Sequence, residues 1–192
     1  MPDQTFTSGQ ILTASQMSTL QSNTGLTQIT PTGVTNATLS GAVATIGSAV
    51  GSVTISGCFT SAFTNYRIVM SGMACSLDGR EVRFTMNNST GSTYATVGTN
   101  MDYTSATVYG LGTAAGAFLR VMDTSVTSNN FAADLFQPFT ATRSYINSCW
   151  NGNDHVGWYQ GRDTNAASQT GFTLTLNSGT MTGGTITVYG YR

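Results

Sequence analysis

Four aromatic side chains lie close together in the sequence, and amide and carboxylate groups lie between them. They are Tyr145, Trp150, Trp158 and Tyr159. Aromatic faces beside hydrogen-bonding side chains can recognise sugars, because stacking on the ring is combined with polar contacts. The four residues are therefore candidate contacts for a glycan. The alternative is that at least one tryptophan fills a protein core, as large aromatic side chains usually do.

Groups for acid–base catalysis are few. The chain has one histidine, His155, and no lysine. A polysaccharide hydrolase would need two carboxylates across a cleft, and no pair stands out by spacing. We therefore predict that the protein is not an enzyme, and keep a surface-polysaccharide hydrolase as an alternative class. The carboxylates available to such an enzyme are Asp78, Glu81, Asp102, Asp123, Asp134, Asp154 and Asp163.

Neither the cysteines nor the glycines predict a cofactor. Cys58, Cys75 and Cys149 are an odd number without CxxC spacing, so neither a zinc site nor a disulfide framework is expected. Residues 110–116 (GLGTAAG) have the wrong glycine spacing for a dinucleotide fingerprint, and a strand pattern follows them instead of a helix. We predict no metal and no cofactor.

The composition excludes several classes of function. Charged residues make up 8% of the 192 residues, against roughly 25% in an average soluble protein. Without lysine a P-loop is impossible, since that motif needs a lysine to reach the phosphates. Seven scattered arginines cannot neutralise a run of phosphates, so we predict no nucleic-acid partner. No apolar run is long enough for a membrane span, so no membrane insertion is expected.

The candidate site residues lie on or between short segments in which apolar and polar residues alternate, a pattern that predicts β-strands. In residues 81–86 (EVRFTM), Val82, Phe84 and Met86 are predicted to point inward and the polar residues between them outward. No long helical pattern separates the strands, which argues against a parallel α/β sheet. We predict an all-β fold, an antiparallel β-sandwich of the jelly-roll type. Further strands are predicted around residues 52–56, 66–71, 118–122, 131–136, 145–146, 156–159, 172–176 and 185–191.

The first 50 residues differ from the rest. Residues 4–66 contain no charged side chain and no histidine. A capping box at residues 13–16 (TASQ) predicts a short helix over residues 14–21, which is too short to be stable alone. We predict two parts: an anchoring arm with this helix over residues 1–50, extended and packed against partner subunits, and a β-sandwich knob over residues 51–192. Apolar residues of the helix region are the candidate anchors: Leu12, Met17 and Leu20.

Three stretches of the chain resemble small virion proteins of tailed bacteriophages. They are residues 8–17 (SGQILTASQM), residues 63–70 (FTNYRIVM) and the closing part, residues 171–174 (GFTL) with 183–192 (GGTITVYGYR). The resemblance implies a tail-fibre, minor tail, receptor-binding or head-decoration protein, commonly a trimer, without catalytic residues.

These expectations combine into one hypothesis with one rival. The leading hypothesis is a non-enzymatic phage virion protein of the tail-fibre or receptor-binding type, a homotrimer in which the loops of the knob contact a host surface glycan. It would be found in the virion and be bound to other virion proteins through its N-terminal arm. The rival is a capsid decoration (cement) protein, whose arm would clamp subunits of the head shell.

Overall fold

Antiparallel β-strands form all the regular structure that we observe. The computed structural model describes residue 13 and residues 25–191. Within these residues no helix is long and apolar enough to cross a membrane. The strands are β1 (Thr27–Ile29), β2 (Gly33–Thr35), β3 (Thr38–Ser40), β4 (Val43–Thr45), β5 (Ser52–Ser56), β6 (Asn65–Cys75), β7 (Glu81–Met86), β8 (Tyr94–Asp102), β9 (Val108–Gly116), β10 (Leu119–Asp123), β11 (Asn129–Phe136), β12 (Ser144–Asn151), β13 (His155–Asp163), β14 (Phe172–Leu176), β15 (Met181–Thr182) and β16 (Thr185–Tyr191).

The strands form two antiparallel sheets around one hydrophobic core, as in a β-sandwich. The large sheet has the order β3-β4-β16-β6-β11-β12-β13-β8-β9, with β1 beside β16 and β15 beside β6. The small sheet has the order β10-β7-β14-β5-β2. The all-β, antiparallel part of the prediction is therefore confirmed. We call the face of the large sheet that points away from the core its outer face.

Alternation of apolar and polar residues explains which side chains fill the core. In β7, Val82, Phe84 and Met86 are buried, and the residues between them are partly exposed, as predicted. Strands β5, β14 and β16 alternate in the same way. Because successive side chains on a strand point to opposite faces, each of these strands contributes one apolar face to the space between the sheets.

The second half of the predicted arm belongs to the two sheets. Strand β1 pairs with β16, β2 pairs with β5, and the β3–β4 hairpin adds to β16. Ala44 and Ile46 lie in the core, and Ile29, Val34 and Leu39 pack against it.

The physical reason is that β16 and β5 offer open edges, whose backbone groups pair with these short segments. Residues 27–45 therefore contain edge strands of the sandwich, where the sequence suggested an extended arm that packs against partner subunits. The helix predicted over residues 14–21 lies outside the described residues.

The pattern of alternation did not reveal β8 and β9, which form one end of the large sheet. Seven of the nine residues of β9 are exposed, and neither of its faces is apolar throughout. The glycine-rich segment over residues 110–116 lies inside β9. It is a strand, and so is the segment that follows it, which agrees with our rejection of a dinucleotide-binding loop.

Candidate functional site

The four candidate aromatic residues divide between the two faces of the large sheet. Tyr145 and Trp158 lie on the outer face and expose 46% and 42% of their surface. Trp150 and Tyr159 point into the core and expose only 3% and 1%. The structure therefore keeps two of the four as candidate ligand contacts, and packing explains the other two.

The inner pair is a stacked pair of rings. The ring centroids of Trp150 and Tyr159 lie 6.1 Å apart, and the planes are inclined by only 7°. Glycines on the neighbouring strands make room for them: a Cβ on Gly157 would lie 2.8 Å from the Trp150 ring, and a Cβ on Gly98 would lie 2.4 Å from the Tyr159 ring. Any larger residue at these positions would collide with the stack, so the glycines are part of the core packing.

The Tyr159 hydroxyl connects the two sheets. It donates a hydrogen bond of 3.0 Å to Asp123 Oδ2 on β10, and Asn100 Nδ2 donates to the same oxygen at 2.7 Å. Burial raises the pKa of Tyr159, and the nearby Asp123 carboxylate raises it further. The hydroxyl is therefore held in its neutral form as a donor. Its role is to bond the sheets together, so it is not available to a ligand on the outer face.

Tyr145 borders a groove on the outer face, which we call the Tyr145 groove. Its volume is about 540 Å³, within the range of ligand pockets. Tyr145 on β12 lies directly opposite Arg162 on β13, and Gln160 lies two residues from Arg162 on the same face. Small residues from the neighbouring strands complete the lining: Ala95, Thr96, Val97, Gly112, Thr113, Ala114 and Gly161.

Trp158 borders a second groove on the same face, which we call the Trp158 groove. It has a volume of about 500 Å³. Trp158 lies opposite Cys149 on β12 and opposite Thr99 on β8. The rest of the lining is mostly apolar, with amides at one end: Val69, Met70, Ser71, Met101, Asn130, Phe131, Ala132, Trp150, Asn151, Val156 and Gly157.

The two grooves lie on one continuous surface. Tyr145 and Cys149 are four residues apart on β12, which separates the two exposed rings by about 14 Å along the strand direction. Each ring offers an apolar face next to hydrogen-bonding groups, which is the chemistry that stacks on a sugar and binds its hydroxyls. The outer face therefore carries the arrangement that best fits ligand binding.

Sequence reasoning did not select Gln160 and Arg162. A signal was present, because residues 158, 160 and 162 must share one face of a strand if Trp158 is exposed. The same rule shows that the four aromatics cannot all share a face. Trp158 and Tyr159 are adjacent, and Tyr145 and Trp150 are five positions apart, so the members of each pair point to opposite faces.

Two of the candidate carboxylates come together at the side of the small sheet. Glu81 and Asp123 are direct partners in the pairing of β7 with β10, and Arg120 binds both. The Nη1–Oε1 distance from Arg120 to Glu81 is 3.1 Å, and Arg83 also binds Glu81 at 3.1 Å. The guanidinium of Arg120 binds both carboxylates, so the arrangement is an ion-pair network that links β7 to β10 within the small sheet.

The remaining titratable candidates are dispersed. His155 Nε2 lies 3.8 Å from Asp102 Oδ2, at the hairpin end of the large sheet. Cys58 and Cys75 are buried, whereas Cys149 is exposed on the outer face. Burial raises the pKa of Cys58 to about 12. Among the described residues no group of three or more His, Cys, Asp or Glu side chains could hold a metal ion.

The candidate anchoring residues Leu12, Met17 and Leu20 lie outside the described residues. No protein-family model, curated protein or solved structure matches this chain.

Proposed function

We propose that the protein is a non-enzymatic structural protein of a bacteriophage virion, of the tail-fibre or receptor-binding type, and that it contacts a host surface glycan. The observation that carries the proposal is the pair of exposed rings, Tyr145 and Trp158, in two grooves on one face of the large sheet. The resemblance of three sequence stretches to phage virion proteins supports the virion assignment.

Tyr145 and Trp158 are large aromatic residues that expose nearly half of their surface to solvent, and binding of a ligand would explain this exposure. The same strands bury Trp150 and Tyr159, so β12 and β13 each place one large aromatic residue on either face. Tryptophan and tyrosine are the residues that most often dominate binding surfaces, since they offer a large rigid apolar area together with a polar tip. A sugar that stacks on these rings would cover them.

The rival proposal is a capsid decoration protein, and a different observation favours it. Five large exposed apolar residues lie on β8, β9 and the turn between them: Val97, Met101, Tyr103, Val108 and Tyr109. Such a concentration is typical of a surface that another protein covers. The partner would be a neighbouring copy in the proposed homotrimer, or the major capsid protein in a decoration protein.

Attachment to the particle is proposed to depend on residues Leu12, Met17 and Leu20. Full-length protein in which all three are replaced by aspartate should stay folded but should not be incorporated into phage particles. Normal incorporation of this variant would contradict the anchoring role. The jelly-roll-like path of the sandwich also stays a prediction, which an experimental structure would test.

Location and ligand binding need separate tests. Immunogold labelling of intact particles should place the protein at the tail tip or on fibres, whereas label over the head would favour the decoration protein. For ligand binding, Trp158→Ala and Tyr145→Ala should each weaken binding to host surface polysaccharide by about fivefold or more, the loss of one ring contact. Tyr189→Ala is the control, because this tyrosine is partly exposed but lines neither groove and lies outside the exposed surface of β8 and β9.

A further inference from the structure

We infer that the Tyr145 groove binds an anionic saccharide, whose negative group pairs with Arg162. This inference rests on the proposed glycan-binding function and adds the chemical class of the ligand. The groove holds one aromatic ring, one amide and one guanidinium, from Tyr145, Gln160 and Arg162. No carboxylate lines it.

The charge of Arg162 is not neutralised by any carboxylate among the described residues. Three other arginines are paired: Arg67 with Asp134, Arg83 with Glu81, and Arg120 with Glu81 and Asp123.

Of these, Arg67 and Asp134 lie on the same outer face as Arg162. Their opposite charges are paired, because Arg67 donates two hydrogen bonds of 2.8 and 2.6 Å to the Asp134 carboxylate. Among the described residues that line the two grooves, Arg162 is therefore the one charged side chain.

The neighbouring acidic residue cannot serve as a partner. Asp163 follows Arg162 in β13 and therefore points to the opposite face, where it is fully buried. Its Oδ1 accepts a hydrogen bond of 2.9 Å from the backbone N–H of Asn165. The alternation of the strand separates the two charges, so the guanidinium is open to a group that comes from solution.

The arrangement of the groove fits an acidic sugar. A guanidinium presents a planar fork of donors that binds carboxylate or phosphate oxygens in a bidentate manner. Tyr145 lies directly across from Arg162, so a sugar ring stacked on the tyrosine would place a ring substituent beside the fork. The Gln160 amide can bind hydroxyls on the same ring, and the small residues Gly112 and Ala114 leave room for it.

The negative group can come from a carboxylate, as in uronic and sialic acids, or from a phosphate on the sugar. The full-length protein should therefore be applied to a glycan array that holds uronate-, sialate- and phosphate-bearing oligosaccharides beside their neutral counterparts. We expect an acidic member to bind about tenfold or more tightly than its neutral counterpart, because ion-assisted hydrogen bonds are among the strongest polar contacts. Which acidic members bind distinguishes the carboxylate from the phosphate.

Two arginine variants complete the test, with titration calorimetry on the best ligand. Arg162→Gln should remove the preference for the acidic member, and Arg143→Gln should keep it, because Arg143 is also unpaired among the described residues but lies outside the groove.

Equal binding of acidic and neutral members, or an unchanged preference in Arg162→Gln, would overturn the inference while leaving the proposed function in place. Absence of binding to every member would overturn both.

Discussion

The most direct test of the site is a substitution in the core behind it, Gly157→Ala. Gly157 pairs with Trp150 across the β12–β13 ladder. A Cβ at this position would lie 2.3 Å from the carbonyl oxygen of Thr99 and 2.8 Å from the Trp150 ring. Real Cβ atoms do not approach so closely, so the strand or the ring must move. Movement of either would also displace Trp158, the next residue.

The expected cost follows from the atoms that collide. Overpacking a well-packed core costs about 1–3 kcal/mol, and the upper part of that range applies here because one colliding atom belongs to the backbone. For a domain of this size each kcal/mol shifts the midpoint of thermal unfolding by about 2–4 °C. A cost of about 2–3 kcal/mol therefore lowers the midpoint by about 4–12 °C.

Gly110→Ala is the matched control for the thermal unfolding assay. Gly110 lies in β9 of the same sheet, and a Cβ there would meet nothing within 4 Å. Alanine also restricts the unfolded chain more than glycine, so this variant should be unchanged or more stable by up to about 1 kcal/mol. Equal midpoints for the two variants, by calorimetry or circular dichroism, would refute the strand register and the packing of Trp150 described above.

Three further predictions concern groups on the two faces of the large sheet. In the native protein Ellman's reagent should modify one thiol per chain, that of the exposed Cys149. In denaturant it should modify all three thiols, and three reactive thiols in the native protein would contradict the burial of Cys58 and Cys75. Iodide should quench Trp158 but not Trp150, so Trp158→Phe should remove most of the quenching. The pKa of Tyr159 is raised in the folded state. The neutral hydroxyl therefore contributes its full stabilisation below the unfolded pKa of about 10, and this contribution falls as the pH rises above that value. In Tyr159→Phe, the free energy of unfolding measured in urea should decline less steeply above pH 10 than it does in the native protein.

Much of the sandwich can be predicted from sequence because one face of each core strand is buried. In β7 the buried residues occupy alternate positions, Val82, Phe84 and Met86. This pattern is typical of a strand that has one face against a core. Strand β14 (Phe172–Leu176) was predicted with the bounds that the structure shows, for the same reason. Where burial alternates along a strand, the alternation of apolar and polar residues therefore predicts the strand and its buried face.

The pattern fails where burial does not alternate. Strand β9 is mostly exposed on both faces, so its sequence has no periodic signal, and no strand was predicted there. The short strands β1, β2 and β4 are held by backbone pairing with strands distant in the sequence, β3 pairs with β4, and each of the four has only one or two apolar residues. Pairing partners of that kind are a property of the whole fold, which local composition does not reveal.

At the candidate site, too, the sequence alone does not determine which aromatic side chains are exposed. Alternation requires Trp158 and Tyr159 to face opposite sides of the sheet, but it does not say which of them faces the solvent. That choice depends on where the small sheet lies, and on Gly157 and Gly98, which open space for the inner rings. A shift of β13 by one residue would bury Trp158 and expose Tyr159, which would break the hydrogen bond to Asp123 and remove one ring from the outer face. Gly157 and Gly98 therefore help to determine which rings lie on the outer face, and changes to them should affect stability and ligand binding together.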